Sequence, residues 1–334
     1  MYDVSVCIPA GGFWPELYFT MNSIASVLVH SRLTHEFIIC ANNTSDEMIE
    51  DARKSLLDPS TDFSKYHKVK FIKSDIPANG PAANRAAAVA SGTFLCLTDS
   101  HVIVHPNIFT ECIRVMEDHA DAGLVHSPIT WTGIPYLAGV GPGGFPFANN
   151  KRCYQYLYRT FDATGDWYLS RHFHGTYNHH LVSEKPYPIA GCGHGFYMMR
   201  RSVWEKIGGY HPGQMGYGGR EAFVTFKSWL LGFRNYTVPT TNHIHYNGRR
   251  LYHWNMDWWY RNNMTQAYSI GGDKWLDIIY ANFKKKAGVK APVIERLRNE
   301  AVDLSVNERA FVLERQQMPF DDLFKVWDDS GVFY

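Results

Sequence analysis

Short apolar runs alternate with stretches whose apolar positions recur every three or four residues through the first third of the chain. Val4 to Ile8 is β-rich and stops at Pro9-Ala10-Gly11-Gly12; Leu17, Met21, Ile24, Ala25 and Leu28 then mark one face of a helix. Glu36 to Cys40 reads as a second strand, closed by a polar turn that caps a helix from about Asp46 to Leu57. Val69 to Ile72 gives a third strand, Pro81 to Ala90 an alanine-rich helix, Phe94 to Thr98 a fourth strand, and Asn107 to His119 another helix. This alternation predicts an α/β fold with a mostly parallel sheet covered by helices on both faces. Ligands of such sheets bind beyond the carboxyl ends of the strands. The segments Pro9–Gly12, Asn42–Asp46 and Asp99–His101 are therefore expected around one cleft.

From Ser127 to Pro188 the periodicity dissolves, and GVGPGGFPFANN has loop composition. Regularity returns at Ala190, with Ser202 as the expected cap of a helix. A helix over Glu221 to Gly232 follows, then a strand over Tyr236 to His245. The remainder, Asn247 to Tyr334, reads as helical and rich in aromatics, with a long amphipathic stretch from Val293 to Gln317. The expected division is 1–126, 127–246 and 247–334, the first two forming halves of one domain and the third a helical extension.

Composition narrows the classes. Hydrophobic residues are 45% of the 334 and charged residues only 19%, enough for a large core and too little charge for broad disorder. A formal charge of +1 demands neither nucleic acid nor an anionic membrane as partner. The six cysteines form no CxxC pair, and Cys7, Cys40 and Cys96 fall in buried-strand patterns, so free thiols are expected. No apolar run approaches the ~20 residues of a membrane span, and the opening MYDVSVCIPAGG lacks a signal-peptide pattern. The expectation is a cytoplasmic protein of a bacterium or a phage-infected cell.

Leu97-Thr98-Asp99-Ser100-His101 places an acid and an imidazole two residues apart just past a strand, where both side chains can face one divalent cation. VSVCIPAGG, EFIICANNTSD, NGPAANRAAAVASGTFLCLTDSH and GCGHGFYMMRRSVWEKIGGYHPGQMGYGGREAF follow one another in order. This series resembles the motifs of family 2 glycosyltransferases and of the related polypeptide N-acetylgalactosaminyltransferases, whose D-x-D motif takes the Asp-Ser-His form. The resemblance implies a GT-A fold and transfer of a sugar from a nucleotide diphosphate sugar, commonly a UDP-sugar with Mn2+ (or Mg2+), to a hydroxyl acceptor. It implies that Pro9, Ala10, Asn42, Asn79, Gly80, Asn84, Asp99 and Ser100 line the donor, with Asn42 where relatives carry an Asp. It implies that Asp99 and His101 hold the metal, with a third ligand at the end of a downstream strand. There His243 and His245 both qualify, and His245 is favoured.

Two departures stand out. Ala83 replaces an Arg that relatives often carry, and Arg220 occupies the first place of the acidic pair in the Gly216–Glu221 loop. Glu221, at the second place, matches the general base of inverting relatives, whereas the Asp-Ser-His motif leans to the retaining group. The resemblance puts His194 near acceptor or sugar; the histidines between 172 and 180 show no metal spacing. Arg249, Arg250, Arg261, Lys274 and Lys284–Lys286 mix with Tyr252, Trp254, Trp258, Trp259 and Tyr260. That mixture leaves glycan, protein and modified DNA as acceptors, beside a packing role. A catalytically degenerate sugar- or nucleic-acid-binding module is the alternative that the two departures motivate. A nucleotidyltransferase is disfavoured because Pro9–Phe13 carries no basic residue for a triphosphate.

Overall fold

The computed structural model describes residues 2–11, 14–42, 44–57, 67–132, 154–156, 172–174, 185–189, 191, 195–216, 218, 220–246, 255–285 and 290–329. The strands are β1 (Val4–Ala10), β2 (His35–Asn42), β3 (Lys68–Ser74), β4 (Phe94–Thr98), β5 (Val102–Val104), β6 (Ala122–His126), β7 (Ile129–Thr132), β8 (Tyr154–Tyr156), β9 (His172–His174), β10 (Tyr187–Ile189), β11 (Phe196–Arg200), β12 (Arg234–Thr237) and β13 (His243–Tyr246). The helices are α1 (Trp14–His30), α2 (Asp46–Leu57), α3 (Asn79–Ala88), α4 (Ile108–Asp118), α5 (Arg201–Ile207), α6 (Arg220–Leu230), α7 (Met256–Gly271), α8 (Asp273–Lys285), α9 (Ala291–Arg315) and α10 (Phe320–Asp329).

Eight strands form the main sheet in the order β10-β12-β6-β11-β4-β1-β2-β3. β3, β2, β1 and β4 run parallel, and β11 enters antiparallel between β4 and β6. The central strands are apolar on both sides, as a sheet covered on both faces requires. Val4, Val6, Ile8, Phe37 and Ile39 face α1 and α4 in one core. Cys7, Ile38, Cys40, Leu95 and Leu97 face the other core, which also holds the alanines of α3 and residues of α6 to α10. Alanine at 82, 83, 86 and 87 lets α3 lie close on the sheet. β3, at the edge, carries Lys68, Lys70 and Lys73, charges that discourage further strand pairing.

Glu36, fully buried, anchors the start of this sheet. Its carboxylate accepts from Ser5 Oγ (2.8 Å), Ser91 N (2.7 Å) and Ser91 Oγ (2.7 Å), and pairs with Lys70 Nζ (2.8 Å). Burial pushes its pKa up, but Lys70 and these donors outweigh that and hold it below the ordinary value. Buried Cys7, Cys40, Cys96 and Cys112 are free thiols; burial pushes Cys40 up to about 12, so it stays a protonated, unreactive thiol.

A second, three-stranded sheet has the order β5-β13-β7. Here the structure corrects the strand expected over Tyr236 to His245. β12 belongs to the main sheet and β13 to the small one, because the chain turns between Val238 and Asn242 at Pro239, which has no N–H to continue a ladder. Ser202 lies inside α5, whose cap position is Arg200 with no side-chain cap bond. Between 127 and 188 the strands β7 to β10 have only three or four residues each, too short for a periodic signal. The GVGPGGFPFANN stretch, Cys153 and Cys192 lie outside the described residues.

The C-terminal helices belong to the core. Trp259 and Tyr260 are buried against Phe283, with ring centroids 5.3 and 4.7 Å away. Lys227 of α6 is wholly buried, donates to Glu308 of α9 (2.7 Å) and lies over the Phe223 ring. No helix among the described residues is long and apolar enough to cross a membrane.

His211, just past α5, is buried beside this cation, accepts from Gly213 N at Nδ1 (3.0 Å) and meets the Phe223 ring edge-on. Burial, then Lys227 and Arg261, push its pKa from 6.5 down to about 3. The folded state thus keeps it neutral while the unfolded chain takes up a proton below about 6.5, so stability falls with pH across that window. Denaturant unfolding should show a loss on the order of 1 kcal/mol between about pH 6.5 and 5 from this residue. His211→Gln should flatten that dependence; an unaltered slope would refute the assignment.

Candidate metal centre and adjoining cleft

Three chain segments meet at the carboxyl end of β4. Asp99 follows the strand directly, and its N–H donates to the Gly195 carbonyl (2.9 Å), which also accepts from Thr98 Oγ1 (2.7 Å). His101 precedes β5, whose first residue, Val102, is held by Thr20 Oγ1 (2.8 Å). β13 pairs antiparallel with β5, placing His245 opposite Val102. As a result Asp99, His101 and His245 offer a carboxylate oxygen and two imidazole nitrogens within 4.8 Å of one another. His245 Nε2 lies 3.2 Å from Asp99 Oδ2, and the His101 and His245 rings meet edge to face at 4.5 Å. Asp99 and His245 are buried, and His101 is partly exposed. The set is compact enough to share one divalent cation. Its mixed oxygen and nitrogen donors suit a divalent cation.

His243 shares the strand face with His245 but lies apart from the cluster. Its Nδ1 meets Ser127 Oγ at 2.7 Å, and its ring packs on Phe196 and His126. Gly195 forms the floor under both histidines. Its φ is +104°, and a β-carbon there would lie 2.7 Å from His243 Nε2 and 2.8 Å from His245 Cδ2.

A cleft of about 220 Å³, counting the open solvent at its mouth, adjoins Asp99 and is lined by Pro9, Ala83, Leu97, Thr98, Gly195, Tyr197 and Tyr210. Pro9 thus lines the cleft, whereas the Ala10 methyl is buried in the α1 core. Ser100 is buried. At the end of β2, Asn42 Nδ2 donates to Asn79 Oδ1 at the start of α3 (3.0 Å), while Asn42 Oδ1, also buried, has no partner among the described residues. Gly80 lies tight under Gln214, so close that a β-carbon there would meet the amide. The Asn84 amide is committed to the backbone of Tyr210, donating to its carbonyl (2.8 Å) and accepting from its N–H (2.9 Å). Asn84 therefore holds the backbone of Tyr210, a residue that lines the cleft.

Arg220 and Glu221 are the first residues of α6. The loop before them is pinned from both sides. Gly216 N donates to Pro77 O (2.9 Å), bridging it to the start of α3. Asn262 of α7 clasps Met215, accepting from its N–H (3.2 Å) and donating to its carbonyl (2.6 Å). Gly216 and Gly218, with φ of +57° and +117°, lie against the rings of Trp258 and Trp259; a β-carbon at either would come within 2.5 Å of an indole. His194 lies outside the described residues, as do His179 and His180; His172 and His174 sit on β9, paired with β8. Sequence reasoning passed over Tyr197, Tyr210 and Asn262. The last two carry no motif signal, and Tyr197 reads as one more apolar position of a buried strand.

Residues 5–139 match the family model of Glycosyl transferase family 2. Among solved structures the chain is similar to GalNAc-T7 with UDP, GalNAc and Mn2+ (TM-score 0.63, 16% identity, 99% of this chain and 58% of that one). It is similar to the mannosyltransferase PcManGT from Pyrobaculum calidifontis in complex with GDP-Man and Mn2+ (TM-score 0.52, 13% identity, 100% and 81%). It is also similar to S. aureus TarS 1-349 in complex with UDP-GlcNAc (TM-score 0.50, 11% identity, 99% and 93%). The chain thus spans less than two thirds of the GalNAc-T7 chain it matches. No curated protein sequence matches it. At these identities the likeness establishes the fold, which is of the GT-A type.

Replacing Gly195 by Ala should force an unfavourable φ and push the histidines apart. Titration with Mn2+ should then show affinity reduced about 10- to 100-fold. Unchanged affinity would separate Gly195 from the metal centre.

Proposed function

We propose that the chain is a metal-dependent glycosyltransferase that moves a sugar from a nucleotide diphosphate sugar to a hydroxyl acceptor. The convergence of Asp99, His101 and His245 beside a cleft at the end of β4 carries this reading. The family match over residues 5–139 and the neighbours crystallised with UDP or GDP-Man and Mn2+ support it. A Mn2+ or Mg2+ ion held by those three side chains would supply Lewis acidity toward the departing diphosphate.

We favour a uridine donor. Asn42 Nδ2 is engaged by Asn79, leaving the buried Oδ1 as an acceptor for an N–H such as that of a uracil edge. Pro9 bounds the nucleoside side of the cleft. Glu221, at the start of α6, is proposed as the base that takes the proton of the acceptor hydroxyl, and His194 as a contact near sugar or acceptor. For the acceptor we favour a glycan or protein hydroxyl over a modified DNA base. Trp259 and Tyr260, two aromatics of the stretch that suggested nucleic acid, are buried and removed from base stacking.

Two substitutions test this. Asp99→Ala should abolish Mn2+-dependent thermal stabilisation by UDP-sugars, since only ligands that bind the native state raise its stability; retained stabilisation would sink the metal assignment. Glu221→Gln should lower transfer about 100- to 10,000-fold while leaving donor affinity within about twofold. Full transfer by that variant would leave Glu221 as no more than a carboxylate favoured by its helix terminus.

A further inference from the structure

Tyr197 is the second residue of β11, paired with Leu97 on one side and His126 on the other, so the sheet fixes where its ring projects. The side chain is only 3% exposed, lines the cleft beside Asp99, and its hydroxyl has no hydrogen-bond partner among the described residues. Buried hydroxyls almost always have a partner, because leaving one unpaired costs the desolvation of the group without return. Phenylalanine would fill the same space in this apolar wall of Leu97 and Ala83 without that cost. A tyrosine here therefore points to a ligand atom as the missing partner.

The strand order says which part of the ligand. Along the catalytic edge Asn42 ends β2, Pro9 lies on β1, Asp99 follows β4 and Tyr197 lies on β11, in that spatial sequence. If the base lies toward Asn42 and the diphosphate at Asp99, the position one strand further belongs to the sugar. We infer that the Tyr197 hydroxyl is a specificity-determining contact to an oxygen of the donor's glycosyl group, and that it makes no contact with the nucleotide. This rests on the donor-site reading above.

The test is Tyr197→Phe, measured by calorimetry with Mn2+ against UDP alone and against UDP-GlcNAc, UDP-GalNAc and GDP-mannose. For the sugar that the wild type binds best, Kd should rise on the order of tenfold, while Kd for UDP stays unchanged. The ligand-free variant should melt no lower than the wild type, since only an unpaired hydroxyl is lost. An equal effect on UDP and UDP-sugar, no effect on either, or a lower melting temperature of the free variant would each overturn the inference. A wild type that binds UDP but no nucleotide sugar overturns it as well. Failure of the donor-site reading itself looks different: the wild type then binds neither UDP nor any sugar nucleotide in the presence of Mn2+.

Discussion

The pairing of β13 with β5 brings His245 to Asp99, 146 positions earlier in the chain, and the candidate metal centre depends on that contact. Neither partner could be held by its own segment. Asp99 terminates a buried strand, and its backbone is fixed by the Gly195 carbonyl. His245 rides on a separate three-stranded sheet, β5-β13-β7. The Gly195 backbone lies against the rings of His243 and His245, closer than a β-carbon at that position would allow. The site is thus a packing solution first. Its donor atoms are aimed by core geometry, and little conformational entropy remains to be lost on binding.

The reversal of direction at β11 has a related effect. The parallel strands β2, β1 and β4 deliver their carboxyl ends to one edge; β11, running the other way, delivers its amino end there. Phe196 lies opposite Thr98, so the segment entering β11 and the segment leaving β4 become neighbours. A purely parallel sheet would have sent that second segment to the far side. The antiparallel insertion thereby adds a fourth segment to the three that the parallel strands deliver to this edge.

Much of the parallel half was legible because each strand there is a continuous apolar run bounded by Gly, Pro or Asn, and Phe94–Thr98 stands where the pattern put it. The grouping of Asp99 with His101 was legible from spacing, and His245 from its place downstream; their role as ligands remains a proposal. Less was legible where meaning resides in tertiary contact. The break between β12 and β13 hinges on one proline amid an otherwise strand-like run. Asn84 carries the composition of a ligand-binding asparagine, yet both ends of its amide serve the Tyr210 backbone. Only packing separates His243 from His245, since a two-residue period puts both on one face.

The glycines of the loop before α6 and the indoles of Trp258 and Trp259 fit as bolt and socket, although some forty residues separate them. Neither side of that fit tolerates independent change. A side chain at Gly216 requires a smaller residue at 258 and must also tolerate a left-handed backbone, and a smaller residue at 258 with glycine retained leaves a gap over that backbone. Substitutions at these positions are therefore expected to be conditional on one another. Among descendants of this sequence they should be exchanged as a pair, and the region from α7 onward should evolve in step with the loop it covers.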